Sequence, residues 1–139
     1  MTITEIQDQI VDEFSMFDDW MERYEYIIEL GKKLPLINEK FKTEDNIIKG
    51  CQSKVWLKGE QNEDIIVFTA DSDAILTKGI IAILIRTFSN QKAADILAAD
   101  MGFIDEIGLK EHLSPTRANG LVSMIKNIKM YALAFESKS

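Results

Sequence analysis

One thiol is the most reactive group that the sequence offers. Of 139 residues only Cys51 is a cysteine, and it lies in the Gly50–Ser53 stretch, just before a strand-like run. The thiolate is the nucleophilic form, and the flanking Lys49 and Lys54 favour it because the nearest acidic residues lie several positions upstream. The residues alone leave two interpretations open: a reactive thiol at a turn, or an inert cysteine that only packs.

Few other side chains suggest chemistry. His112 is the sole histidine, and pairing with Cys51 would suggest a thiol hydrolase. His112 also ends a predicted helix, however, where an imidazole complements the exposed carbonyl groups. Arg117 lies in the first turn of another predicted helix after Ser114. It could hold an anion there, or it could be an exposed side chain beside a capping serine.

Metal binding is not indicated by the sequence. Asp71 and Asp73 are close in sequence but lack the histidine or further carboxylates that a site would need. We interpret Asp71 and Ser72 as N-cap candidates for the helix that follows. A single cysteine cannot form an internal disulfide or supply the thiolates of a zinc site or an iron–sulfur cluster. We therefore expect no structural zinc, no iron–sulfur cluster and a reducing compartment.

The net charge of −7 is unevenly distributed, because residues 1–30 contain nine acidic residues and one basic residue. The remainder is close to neutral, which argues against a surface for nucleic acid or anionic membrane. A solvated helical face explains the acidic segment, and docking of a basic partner is the alternative. With no leader-like segment and no apolar run of spanning length, we expect one cytoplasmic domain over residues 1–139.

Hydrophobic spacing predicts two antiparallel N-terminal helices. Thr2 and Glu5 have the spacing of a capping box at the start of the first helix. Asp18 or Asp19 can cap the second helix, which ends before Pro35. Apolar residues at helical intervals give the first helix a buried stripe at Ile6, Ile10, Phe14 and Phe17.

A small antiparallel sheet is predicted from residue 47 onward, where β-branched and aromatic residues alternate with turn residues. The pattern predicts two strands, Val55–Leu57 and Ile65–Thr69, that are joined by a connection through Lys58–Asp64. If Ile47–Lys49 pairs with the strand that follows the cysteine, Gly50 lies at the tip of a second hairpin with positive φ. Cys51 would then lie on a protruding turn.

The sequence pattern predicts only helices in the C-terminal half of the chain. Residues 71–88 give a central helix that is apolar on nearly all sides, and two shorter helices follow between residues 90 and 113. Ser114 and Pro115 begin a closing helix. The order of two helices, a small antiparallel sheet and several helices predicts an α+β fold, with the C-terminal helices packed on one face of the sheet.

Several motifs occur together along most of the chain. They are YIIELGKKLP (26–35), IKGCQSKVWL (48–57), ADSDA with KGIIAIL (70–84) and HLSPTRANGL (112–121). The combination of GCQS-x-VW with HLSP-x-R-x-NGL is specific rather than generic. With these motifs the chain resembles the SufE family, the sulfur acceptors that work with cysteine desulfurases in iron–sulfur cluster assembly. The resemblance implies an α+β fold shared with the scaffold protein IscU.

The resemblance assigns Cys51 the role of persulfide acceptor. Sulfur would come from a PLP-dependent, SufS-like cysteine desulfurase and pass to an iron–sulfur scaffold, so the chain itself would need neither PLP nor metal. It would act as an accessory protein that stimulates the desulfurase rather than as an independent enzyme, and a homodimer is left open. A solitary thiol suits this role, because a second thiol nearby would discharge the persulfide as a disulfide.

The resemblance also covers five positions that would support the cysteine loop or contact the partner: Gly50, Gln52, Ser53, Asp73 and Arg117. It implies that the loop can fold back over an apolar surface and shield Cys51 in the unpartnered protein. A CsdE-like acceptor serving a different desulfurase shares these motifs and is the alternative. A Cys51/His112 hydrolase and a module in which Cys51 only packs are weaker alternatives.

Overall fold

A computed structural model describes residues 1–138, and Ser139, the last residue of the predicted domain, lies outside the described residues. The elements, in chain order, are helices α1 (Ile3–Ser15) and α2 (Trp20–Gly31), two 3-10 turns (Glu39–Phe41 and Glu44–Asn46), strands β1 (Val55–Asn62) and β2 (Ile65–Ser72), and helices α3 (Ile75–Phe88), α4 (Ala93–Ala98), α5 (Gly102–Glu106), α6 (Leu109–His112) and α7 (Pro115–Lys138).

The two N-terminal helices begin as predicted. The Thr2 hydroxyl accepts from the Glu5 backbone N–H and the Glu5 carboxylate accepts from the Thr2 N–H, which confirms the capping box. Asp19 caps α2 through the backbone N–H of Glu22 at 2.8 Å. These bonds satisfy donors that have no partner within the helix, so each helix start is fixed locally.

A polar clamp joins α1, α2 and α3. Glu13 of α1 accepts two hydrogen bonds from the Arg86 guanidinium of α3, at 2.8 and 2.5 Å, and a third from the Tyr26 hydroxyl of α2. The Arg86 bonds lower the pKa of Glu13, and burial together with the Glu13 contact raises the pKa of Tyr26 to about 12. Tyr26 therefore remains a hydrogen-bond donor at neutral pH.

The β1–β2 hairpin is longer than the sequence predicts. The strands pair from Val55 with Ser72 to Asn62 with Ile65, so the turn is formed by residues 63–64 and the predicted connection through Lys58–Asp64 is wrong. Gly59, expected in the turn, lies within β1. A Cβ at Gly59 would lie 2.9 Å from the Phe68 ring, so this glycine lets aromatic side chains approach the strand closely.

The central helix α3 is buried on most sides, as predicted, but its N-cap is Ala74, which provides no side-chain cap. Asp71 and Ser72, which were expected to cap α3, instead end β2. The Ser72 hydroxyl donates to the Lys54 carbonyl at 2.9 Å and accepts from the Ala74 N–H at 3.2 Å. Sheet pairing to β1 therefore takes these residues away from the capping role.

The C-terminal helices follow the predicted order. Two short helices, α5 and α6, occupy the stretch predicted as one. Helix α7 starts at Pro115 with its Arg117 N–H bonded to the Ser114 hydroxyl at 3.3 Å. Its inner face carries Leu121, Met124, Ile128 and Ala132, all with at most 2% of their surface exposed.

One face of the hairpin carries the core. Val55 and Leu57 of β1 and Ile66, Phe68 and Ala70 of β2 are buried, and α3 and α7 pack over this face. The alternating side chains of each strand point to the opposite face of the hairpin. The α+β fold with helices on one face of a two-stranded antiparallel sheet is thus confirmed. None of the described helices is both long and apolar enough to cross a bilayer.

Candidate functional site

The cysteine loop lies against helix α7. Gly50 has φ +94, so the positive φ expected there is confirmed, and the loop turns inward rather than protruding. The Cys51 thiol is half-buried and its Sγ lies 3.6 Å from the Gly120 carbonyl oxygen of α7. A Cβ at Gly120 would lie 3.4 Å from Sγ, which shows how closely the loop approaches the helix backbone. The predicted protruding tip is therefore wrong for this conformation.

The two ends of the loop are held by the hairpin. Before the loop, the Ile48 N–H donates to the Val55 carbonyl at 2.8 Å, and only one bridge, Ile47 with Trp56, represents the predicted second hairpin. After the loop, the Asp73 carboxylate accepts from the Lys54 N–H at 3.1 Å. The Asp73 N–H donates back to the Lys54 carbonyl at 3.2 Å. Asp73 therefore fastens the C-terminal end of the loop to β2.

A small cavity opens beside the thiol. Its volume is about 40 Å³, enough for a group somewhat larger than one water molecule. Four predicted positions meet at this cavity, and Gly50 and Asp73 lie at the edges of the same loop. The full lining is Cys51, Gln52, Ser53, Thr77, Ile80, Thr116, Arg117, Gly120 and Met124.

The electrostatics of the thiol differ from the sequence-based expectation. Burial raises the pKa of Cys51 above its ordinary value. Lys49 and Lys54 are both exposed and neither lines the cavity, so the prediction that they stabilise the thiolate is wrong for this conformation. Water screens the charge of an exposed ammonium group, whereas burial acts directly on the sulfur. Cys51 is therefore a neutral thiol at pH 7.

Arg117 is the charged side chain at the cavity. It is exposed, and among residues 1–138 no carboxylate lies within ion-pair distance of its guanidinium. A guanidinium in this position attracts a negative charge that forms on sulfur. The predicted association between Arg117 and the cysteine loop is thus present in the geometry.

The structure does not bring His112 to Cys51. The imidazole stacks on the Trp20 ring of α2 with the ring centroids 4.4 Å apart, and it does not line the cavity.

The Asp71 carboxylate, considered above as a metal ligand, forms ion pairs with Lys42 at 2.7 Å and with Lys78 at 3.3 Å. Within the described part of the chain, no group of three His, Cys, Asp or Glu side chains is arranged to hold a metal ion.

Sequence reasoning missed the residues that α3 contributes to the site and, apart from Arg117, those that α7 contributes. Thr77 and Ile80 lie one helical turn apart on α3, and Met124 follows Gly120 by four positions on α7. Gly120 offered a signal, because a glycine inside a helix costs about 1 kcal/mol relative to alanine and calls for a reason. The reason here is the close approach of the cysteine loop.

The fold and the site define a small α+β protein that holds one half-buried thiol in a loop against a helix. The family model described as "SufE: Fe-S metabolism associated domain" matches residues 8–132. The chain therefore belongs to the SufE family, which confirms the predicted resemblance and a family role in sulfur transfer.

Curated relatives agree with this assignment. The chain is 44% identical over 130 residues to an uncharacterized SufE-like protein of Rhizobium meliloti, covering 90% of this chain and 93% of the relative. It is 45% identical over 127 residues to an uncharacterized SufE-like protein of Rhizobium etli, covering 88% and 86%. The solution structure of a hypothetical protein from Thermus thermophilus has the same fold, with TM-score 0.77, 17% identity and coverage of 93% and 94%.

Proposed function

We propose that this protein accepts sulfur from a cysteine desulfurase on Cys51, stimulates that enzyme and delivers the sulfur for iron–sulfur cluster assembly. The observation that carries the proposal is the position of the sole thiol. Cys51 lies in a loop fixed at both ends, with the family-like GCQS and SPTRANG segments meeting at one cavity. A carrier needs one nucleophile on a segment that can leave its resting place without unfolding the domain.

The transfer step is a thiol exchange. The Cys51 thiolate attacks the outer sulfur of the persulfide on the desulfurase cysteine. A new S–S bond forms at Cys51 while the S–S bond on the desulfurase breaks, and the desulfurase cysteine departs as a thiolate. No net oxidation occurs, because one persulfide replaces another.

The resting geometry provides a reason for partner-dependent activation. In the closed loop the thiol is neutral and half-buried, and so is a poor nucleophile. Moving the loop off α7 breaks the 3.6 Å contact between Sγ and the Gly120 carbonyl and removes the burial that raises the thiol pKa. The backbone bonds of Ile48 and Lys54 would hold the loop ends during this movement. Docking of the desulfurase would thus coincide with thiolate formation.

The cavity also suits the product. Its volume of about 40 Å³ leaves space beside Sγ for the added sulfur atom, and Arg117 supplies a positive charge for an anionic persulfide. In this proposal the protein works in the cytoplasm without a cofactor of its own. PLP belongs to the desulfurase, and the iron–sulfur scaffold is the recipient. A CsdE-like partner choice would use the same site.

The thiol-hydrolase alternative finds no support in the geometry, since His112 stacks on Trp20 and does not line the cavity of Cys51. A dyad would require hydrogen-bond reach between the two side chains. The His112→Ala variant therefore serves as a control that should retain sulfur transfer.

The test is to incubate the protein with a SufS-type desulfurase and free cysteine and to record intact mass with and without reductant. We expect a reducible gain of one or more sulfur atoms on the wild type and on His112→Ala, and none on Cys51→Ser. Desulfurase turnover should rise with the first two proteins only. An unmodified wild type beside an active desulfurase, or equal modification of Cys51→Ser, would contradict the proposal.

A further inference from the structure

One buried hydroxyl at the cysteine cavity has no hydrogen-bond partner. Thr77, in the first turn of α3, lines the cavity beside Cys51 and is only 7% exposed. Its hydroxyl forms no hydrogen bond with any other of residues 1–138, whereas the other buried threonine of α3, Thr87, donates to the Ile83 carbonyl at 2.9 Å. Buried hydroxyl groups in folded proteins are normally hydrogen-bonded, so an unpaired one calls for an explanation.

The Thr77 oxygen faces open space rather than packed atoms. In the described part of the chain, every fully buried side-chain nitrogen or oxygen has a hydrogen-bond partner. The Thr77 oxygen has none, so it touches space that a water-sized group can enter, and Thr77 lines the cavity of about 40 Å³ beside Cys51. Because Thr77 belongs to α3, its position does not depend on the loop that carries the thiol.

The other hydroxyl groups of the cavity are less suited to hold a group there. Ser53 belongs to the loop and moves with Cys51, and Thr116 is exposed, so water competes for its hydrogen bonds. Thr77 is both buried and fixed on a helix. A hydrogen bond from Thr77 into the cavity is therefore the least weakened by water.

Two helix N-termini add positive potential at the same cavity. Thr77 lies in the first turn of α3, and Thr116 and Arg117 lie in the first turn of α7. Neither first turn contains an acidic residue, and the N-cap Ala74 offers no side-chain acceptor to the free N–H groups of α3. The amide ends of both helices therefore favour a negative charge in this cavity.

Among residues 1–138, no carboxylate lines the cavity to oppose such a charge. The two acidic residues just before α3 are engaged elsewhere. Asp73 accepts from the Lys54 N–H at 3.1 Å. Asp71 forms ion pairs with Lys42 and Lys78. The polar lining consists of hydroxyl, amide and guanidinium groups, all of which can donate hydrogen bonds.

Loading sulfur changes the hydrogen bonding of Cys51. In the free protein the Cys51 S–H can donate to the Gly120 carbonyl at 3.6 Å. A persulfide carries its proton or its negative charge on the outer sulfur, so the inner sulfur no longer donates. The outer sulfur then needs a partner of its own in the cavity, and the unpaired Thr77 hydroxyl is the buried donor there.

We propose that the Thr77 hydroxyl donates a hydrogen bond to the outer sulfur of the Cys51 persulfide and so keeps the loaded loop closed on α7. This inference rests on the proposed function and adds a cargo-binding residue to the same site. The hydroxyl has no partner in the free protein and gains one only after the sulfur is added. Thr77 therefore extends the lifetime of the loaded state and leaves the free thiol unchanged.

The sulfur is loaded without a desulfurase, so that the test does not depend on the partner. Cys51 is converted to a mixed disulfide with dithiodipyridine, and sulfide is then added. The sulfide sulfur attacks Sγ of Cys51, an S–S bond forms, the bond to the pyridine sulfur breaks and a pyridinethiolate leaves. Intact mass gives the loaded fraction, and its decay in an excess of a small thiol gives the lifetime of the persulfide.

Three variants separate the hydroxyl from packing. Thr77→Val removes the hydroxyl and keeps the shape of the side chain, whereas Thr77→Ser keeps the hydroxyl. Thr87→Val is the matched control, because it removes a hydroxyl from the same helix at a buried position that does not line the cavity. The alkylation rate of unloaded Cys51 and the free energy of unfolding in urea are measured for each protein.

We expect Thr77→Val to lose its sulfur about tenfold faster than the wild type, the change that a lost hydrogen bond of about 1.4 kcal/mol gives. Thr77→Ser and Thr87→Val should hold their sulfur as long as the wild type. Alkylation of unloaded Cys51 should proceed at the same rate in all of these proteins, which a purely structural role of Thr77 would not give. Unloaded Thr77→Val should be as stable as the wild type, because its hydroxyl has no bond to lose.

The inference is overturned if Thr77→Val holds its sulfur as long as the wild type, if Thr87→Val loses it as fast as Thr77→Val, or if Thr77→Ser does not restore the lifetime. It is also overturned if unloaded Thr77→Val is destabilised, or if its free thiol is alkylated faster by the same factor as the sulfur is lost. A wild type that holds sulfur from sulfide but takes none from an active desulfurase would instead refute the proposed function.

Discussion

Replacing Gly50 by alanine should release the cysteine loop from α7. Gly50 has φ +94, a conformation that costs an L-residue about 1–2 kcal/mol. The new Cβ would also lie 2.5 Å from the Ser123 hydroxyl oxygen. That hydroxyl can rotate away, so the backbone strain is the larger and less avoidable part of the cost.

The size of the effect follows from a two-state loop. If Cys51 reacts only when the loop leaves the helix, destabilising the closed state by about 1.4 kcal/mol raises the reactive population about tenfold. We therefore expect Gly50→Ala to be alkylated by iodoacetamide about ten times faster than the wild type at pH 7. Far-UV circular dichroism should be unchanged, because the elements on either side of the loop keep their own hydrogen bonds.

Two further variants separate strain from collision. Gly50→Ala/Ser123→Ala removes the close hydroxyl but not the positive φ, so it should recover only a minor part of the rate difference. Gly102→Ala adds a methyl group at α5, where φ is not positive, and should leave Cys51 alkylation unchanged. A folded Gly50→Ala protein with wild-type reactivity would refute the two-state argument. Full recovery in the double variant would show that collision, not backbone strain, is responsible.

Three other outcomes follow from the contacts described above. Asp73→Ala, which loses the 3.1 Å bond to the Lys54 N–H, should speed Cys51 alkylation about fivefold, whereas Asp73→Asn, which keeps an acceptor oxygen, should change it less. Because burial raises the pKa of Cys51, the pH at which its alkylation rate is half-maximal should be higher in the native protein than in urea. For the same reason the free energy of unfolding of the wild type should fall as the pH rises above about 8.5. Urea titrations of Cys51→Ser should show no such fall. Since Arg86 lowers the pKa of Glu13, Arg86→Gln should lower the free energy of unfolding, measured by urea titration, by about 1 kcal/mol at pH 7. The difference from the wild type should shrink below about pH 4, as Glu13 is protonated. A difference that does not change with pH would contradict the ion-pair assignment.

The resting state of the thiol has a consequence for specificity. A neutral, half-buried Cys51 reacts slowly with small oxidants and thiols, because the thiolate is the reactive form. A partner that moves the loop would obtain a nucleophile that other molecules do not. The same contacts that weaken the free thiol would thus protect it from side reactions until a partner moves the loop.

Much of the fold could be predicted because its signals are local. The capping box of Thr2 and Glu5, the Asp19 cap and the start of α7 at Pro115 depend on residues within one helical turn, and all three are confirmed. The hairpin turn and the cap of α3 were misplaced for one reason. Sheet pairing between β1 and β2 extended both strands through residues whose local preferences favour turns and caps.

The sequence by itself determined that the chain has one candidate sulfur nucleophile, beside a glycine for which a positive φ was predicted, and motifs that identify its family. Only the tertiary structure decided the state of that thiol. Cys51 and Gly120 are 69 positions apart, and their contact depends on how α7 packs against the hairpin. Burial at that contact outweighs the flanking Lys49 and Lys54, because desolvation acts on the sulfur itself while exposed ammonium groups are screened by water.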